Sequence, residues 1–149
     1  MKTTRGLRVV VCVAMLGLVA LSSGVVNVAS ASAAGKPKVV VTPSTNLRNG
    51  EKVSVAGSGF KPGDTVFFVE CLVKAKGENG CQVNGIPPSA TISKTGLLPR
   101  TTFKVVEGKI GSGKCGTTIA NLKACAVSVG NATGGDSAVG QIAFKAPLK

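Results

Sequence analysis

From Lys38 onward apolar and polar side chains alternate in short runs, and no stretch keeps the three-to-four spacing of an amphipathic helix. In Lys52-Val-Ser-Val-Ala-Gly57 the alternation puts Val53 and Val55 on one face and Lys52 and Ser54 on the other, as in a sheet wet on one side. Such runs, rich in β-branched residues, predict strands at Lys38–Thr42, Lys52–Gly57, Thr65–Val73, Ala90–Ile92, Thr101–Val106, Ala124–Gly130 and Ser137–Phe144. Between them stand Asn49-Gly50, Lys61-Pro-Gly-Asp64, Glu78-Asn-Gly80, Ile86-Pro-Pro88, Thr95-Gly96 and Asn131-Ala-Thr-Gly-Gly135, the residue types that tight turns demand. Seven short strands in roughly 115 residues predict an all-β fold, a seven-stranded immunoglobulin-like Greek-key β-sandwich.

The segment before this pattern is of a different kind. Lys2, Arg5 and Arg8, with no acid among them, precede the apolar run Val9 to Ala20, and small residues follow in Ala29-Ser-Ala-Ser-Ala-Ala34. That order of charge, apolar run and small residues is a secretory signal peptide, with cleavage expected after Ala33 or Ala34. About a dozen apolar residues fall short of the roughly 20 that a spanning helix needs, so no stable membrane insertion is expected. The domains expected are thus a signal peptide over residues 1–34 and one sandwich over residues 35–149, exported to the cell envelope or the medium as a monomer.

Composition narrows the chemistry. The 149 residues include no His, Trp or Tyr, which excludes Ser-His-Asp and Cys-His hydrolases, imidazole proton shuttles and His-ligated zinc or haem. The acids are scattered with no paired motif, so no catalytic residue is assigned and no enzyme is expected. Taking Lys2, Arg5 and Arg8 from the 18 basic residues leaves 15 against 6 acids, a formal +9 on the mature chain. That charge attracts anionic polymers, nucleic acid included, through a long-range field that salt screens. The lysines are dispersed, with no aromatic between them to stack on a base, so the charge names no specific partner.

Cys12 leaves with the signal peptide, and Cys71, Cys81, Cys115 and Cys125 remain. An even count in a small exported domain predicts disulfides. Four thiols allow three connectivities; Cys71 and Cys81 bracket one turn-rich stretch and Cys115 and Cys125 a second, so local pairing is expected. The closely spaced cysteine pairs of structural zinc sites are absent, and no metal is expected. Gly108-Lys-Ile-Gly-Ser-Gly-Lys-Cys115 nearly spells a phosphate-binding loop, but Cys115 stands where a magnesium-binding hydroxyl belongs, and the expectation there is an ordinary loop. Asn131-Ala-Thr133 fits a glycosylation sequon and is read as a turn between two strands.

Several of these segments together resemble the neocarzinostatin family of enediyne chromoprotein apoproteins. They are Val40-Val-Thr-Pro-Ser-Thr-Asn-Leu-Arg-Asn-Gly50, Val53-Ser-Val-Ala-Gly-Ser-Gly-Phe-Lys-Pro-Gly63, the ten-residue step from Cys71 to Cys81, and Cys125-Ala-Val-Ser-Val-Gly130. The resemblance implies an exported actinobacterial sandwich with two local disulfides and a cleft that holds a reactive enediyne chromophore without a covalent bond. No other cofactor is implied. It also implies the family labels antibiotic, antimicrobial and DNA-binding, since the released chromophore cuts DNA. The cleft floor would be the Cys71–Cys81 bridge, with Phe67, Val69 and Val73 on the same side of their strand, Ile86 just beyond, and Ala126, Ser128 and Gly130 after the last cysteine. At the positions of Val73 and Ile86 one member of that family has tryptophan and phenylalanine, so this cleft would be more aliphatic than that one.

Two functions follow as expectations. One is a non-catalytic apoprotein that binds and shields a small apolar or aromatic molecule. The other is a basic envelope module that contacts anionic polymers and has no small-molecule ligand.

Overall fold

Strand alternation sorts the side chains into a buried layer and two outer faces. The computed structural model describes residues 35 to 146 apart from positions 75, 76 and 84. The expected signal peptide lies outside the described residues. Among the described residues ten strands run in chain order: β1 Lys38–Thr42, β2 Lys52–Ser58, β3 Thr65–Leu72, β4 Cys81–Gln82, β5 Ser89–Thr91, β6 Leu98–Lys104, β7 Gly108–Ile110, β8 Gly113–Cys115, β9 Cys125–Gly130 and β10 Ser137–Gln141. The other elements are two short 3₁₀ turns, Glu78–Gly80 and Ile119–Asn121.

One sheet has the order β1-β2-β6, the second has β10-β9-β3-β4 with β5 also on β3, and β7-β8 form a separate hairpin. All of these ladders are antiparallel. The chain changes sheet between β2 and β3 and again between β5 and β6, the crossing pattern of a Greek key. Val41, Val53, Val55 and Phe103 from the first sheet meet Val66, Phe68, Val127 and Val129 from the second, and Leu47, Phe60, Ile110 and Ile142 close the gaps. The Phe68 and Phe103 rings stack across this layer at 6.5 Å between centroids. A side chain at Gly140 would run into Val41, so its absence lets β10 lie close against β1.

The all-β sandwich expected from the sequence is present, but seven strands become ten. The additions are β4 and the β7-β8 hairpin, pieces of two or three residues too short to show alternation. The strand expected at Thr101–Val106 begins earlier, at Leu98, and includes Pro99. It lies at the edge of its sheet, where a missing N–H is tolerated. The last strand stops at Gln141 instead of Phe144. Beyond it Ile142 donates to the Cys125 carbonyl, Phe144 donates to the Leu122 carbonyl, and Phe144 bridges to Leu47.

A groove on the outer face of the larger sheet

On β3 the inward residues are Val66, Phe68 and Glu70, which leaves Phe67, Val69 and Cys71 on the opposite face. On β9 the inward residues are Cys125, Val127 and Val129, which leaves Ala126, Ser128 and Gly130 outside. Register brings the outer sets together in rows with β10: Phe67, Gly130 and Ser137; Val69, Ser128 and Val139; Cys71, Ala126 and Gln141. The nine positions tile one floor. Gly130 and Ser128 carry little bulk, so the floor dips between Phe67 and Val69 on one side and Ser137 and Val139 on the other.

Two adjoining hollows occupy this floor. One, of about 930 Å³, lies over Phe67, Val69, Ser128 and Gly130 and is walled by Asn79, Gln82, Val83, Pro87, Lys109 and Asn131. The second, of about 710 Å³, lies over Cys71, Val73, Ala126, Ser128, Val139 and Gln141. Cys81, Ser128, Gly134 and Ser137 line both, so the two halves form one groove. Either volume is within the range of small-molecule sites. Val73, Val83 and Val139 stand in the lining with about half or more of their surface exposed, an apolar rim open to a guest.

Two disulfides hold the surroundings, Cys71–Cys81 and Cys115–Cys125, the local pairs expected from the sequence. The first ties β4 to β3 at the floor. The second is buried in the layer between the sheets. The Gly108–Cys115 segment that mimics a phosphate loop is the β7-β8 hairpin, and its Cys115 is spent in the bridge. This hairpin forms a wall of the groove. Ser112 donates to the Asn79 carbonyl at 2.8 Å, and Gly111, at φ 49°, presses its Cα against Asn79 and Gly80 where any side chain would collide.

Of the residues expected to contact a ligand, Phe67, Val69, Cys71, Val73, Cys81, Ala126, Ser128 and Gly130 all lie along the groove. Ile86 stands beyond it: 95% exposed, it lines an adjoining pocket of about 200 Å³ that shares Val69, Gln82, Val83 and Pro87 with the first hollow and adds Glu70, Phe103, Lys104 and Val106. The Gly85-Ile86-Pro87-Pro88 bend turns only Pro87 toward the groove. Spacing within a strand located the floor; the walls come from Asn79, Lys109 and Asn131, which lie far apart in sequence and which the turn and loop motifs around them did not join to the site.

Glu70 is a charged residue turned into the layer between the sheets, 2% exposed. One carboxylate oxygen accepts the Val106 N–H at 2.8 Å, and Oε1 has no partner. Burial pushes its pKa up from 4.5 to about 7, against a smaller lowering by the Val106 hydrogen bond. The carboxyl lies beside the sulfurs of Cys115 and Cys125. Those sulfurs are bonded to each other and offer no thiolate to a metal. Glu70 also faces away from the groove, so it has no access to a guest there.

The neocarzinostatin family model matches residues 39–144. Macromomycin of Streptomyces macromomyceticus is 30% identical over 105 residues, which cover 67% of this chain and 72% of that protein. The antitumor antibiotic C-1027 apoprotein of Streptomyces globisporus is 30% identical over 120 residues, 72% of this chain and 80% of that one. A solved structure of macromomycin superposes with a TM-score of 0.55 at 28% identity, covering 72% of this chain and 98% of the other. Sequence match, disulfide-bonded sandwich and shared architecture agree: the chain belongs to the neocarzinostatin family.

Proposed function

We propose that this protein is an exported, non-catalytic carrier that holds a small apolar or aromatic molecule, of the enediyne type, in the groove without a covalent bond. The observation that carries this reading is the continuous hollow over β3, β9 and β10, floored by Phe67, Val69, Ser128 and the Cys71–Cys81 bridge and edged by exposed valines. Burying apolar surface there is favourable at about 25 cal/mol per Å². Phe67 is the only aromatic among the described lining residues, so the site selects a ring less strictly than one with several aromatic walls. A relative named as an antitumor antibiotic apoprotein supports a carrier role. The signal-like N-terminus supports export as the monomer expected from the sequence.

The groove favours this reading over a pocketless basic module. To test it, the full chain is expressed for export, purified oxidised, and examined for a co-purifying chromophore and for saturable binding of a neutral naphthalene probe. Ser128→Trp, at the centre of the floor, is expected to abolish binding while leaving the circular-dichroism spectrum unchanged. Absence of both chromophore and saturable binding in the unaltered protein would overturn the carrier role.

A further inference from the structure

We infer that Lys109 makes the groove selective for a guest bearing an anionic group, a carboxylate or phenolate, on its apolar frame. This presupposes the carrier role proposed above and adds a chemical class to it. Lys109 is the only charged residue among the described lining of either half; Asn79, Gln82, Ser128, Asn131, Ser137 and Gln141 supply neutral polar groups. The two acids beyond Asn131 are engaged in hydrogen bonds of their own. Asp64 accepts the Asn131 side-chain amide at 3.0 Å, and Asp136 accepts the Lys61 N–H at 2.8 Å. They line a different hollow, on the far side of Asn131.

The position of Lys109 is set by its wall. It is the middle residue of β7, in register with Lys114 on β8, and the hairpin tip is seated on the Glu78–Gly80 turn by the Ser112 to Asn79 hydrogen bond and the close approach of Gly111. The backbone that presents the ammonium is therefore anchored to the loop closed by the Cys71–Cys81 bridge. A carboxylate on the guest gains a partly screened attraction, whereas an amine meets repulsion from Lys109 and from the basic surface around it. Lys94, exposed in the turn between β5 and β6 and outside the lining of either half, carries the same charge and so separates the local effect from net charge.

The test compares 2-naphthoate, 2-naphthalenemethanol and 2-naphthylmethylammonium as probes on the oxidised protein expressed from the full chain, with affinities read by calorimetry. The naphthoate is expected to bind about two- to five-fold tighter than the alcohol, and the ammonium more weakly than either, with both differences shrinking as salt is raised. Lys109→Gln should bring the naphthoate-to-alcohol affinity ratio down to about one. Lys109→Arg and Lys94→Gln should keep the preference. Saturable alcohol binding without a naphthoate preference, a preference surviving in Lys109→Gln, or equal loss in Lys94→Gln would overturn the assignment and leave the carrier role standing. Failure of every probe to bind would remove the carrier role and this selectivity with it.

Discussion

At the scale of single residues, Glu70 and Phe67 sit on opposite faces of β3 and respond to different variables. Glu70 titrates at about 7 in the fold and near 4.5 when exposed. Between those values the folded protein keeps a proton that the unfolded chain has released. Its contribution to stability is therefore greatest below about pH 4.5, falls as pH rises, and levels off above about 7, a total loss on the order of 3 kcal/mol. Glu70→Gln keeps an acceptor for Val106 and removes the titration. In urea unfolding, its stability advantage over the unaltered protein should grow from pH 4.5 to pH 8; an equal difference at both would contradict the burial argument. Phe67 points into the groove, and its replacement by Ala should weaken an aromatic probe by about three- to ten-fold through lost stacking and area. The same change should leave the unfolding midpoint of the probe-free protein nearly unmoved, because the ring is only half-buried.

At the scale of elements, the groove depends on covalent and close-packed joints more than on regular strand pairing. Each disulfide spans ten positions in sequence. Closing a loop of that size constrains the unfolded chain by about 2.5 to 3 kcal/mol. Replacing Cys115 and Cys125 together by Ala should therefore cost at least that much in chemical denaturation, with a further loss for the cavity left in the buried layer. The β7-β8 hairpin is held by a different device. Gly111→Ala would place a methyl group against the Asn79 backbone and hold alanine at a positive φ, for a cost of about 1 to 3 kcal/mol. Because that hairpin walls the groove, the same substitution should weaken the neutral naphthalene probe, measured by calorimetry. Unchanged binding would mean that the hairpin stands apart from the site.

At the scale of the whole molecule, the formal +9 expected after processing is spread over the surface, so contacts with polyanions are diffuse. Retention on immobilised DNA should fall steeply with salt and vanish near physiological ionic strength, as counterion release dictates for a few scattered phosphate contacts; persistence well above it would point to a dedicated polymer site. The fold itself was largely legible in the chain, because period-two alternation around Val53 and Val55 and turn residues such as Asn49-Gly50 act locally. The same alternation put Phe67, Val69 and Cys71 on one face, and the spacing of the four cysteines foretold both bridges. Ile86 shows where that reasoning ends: its side chain follows the path of a bend containing two prolines, and nothing periodic governs that path. The β7-β8 hairpin, the burial of Glu70 and the arrival of Lys109 at the groove were decided only in three dimensions. Each depends on which distant segment packs alongside, and that choice is made by the joint burial of both sheets and their connections. Local sequence determined which residues face outward; tertiary packing determined what stands across from them.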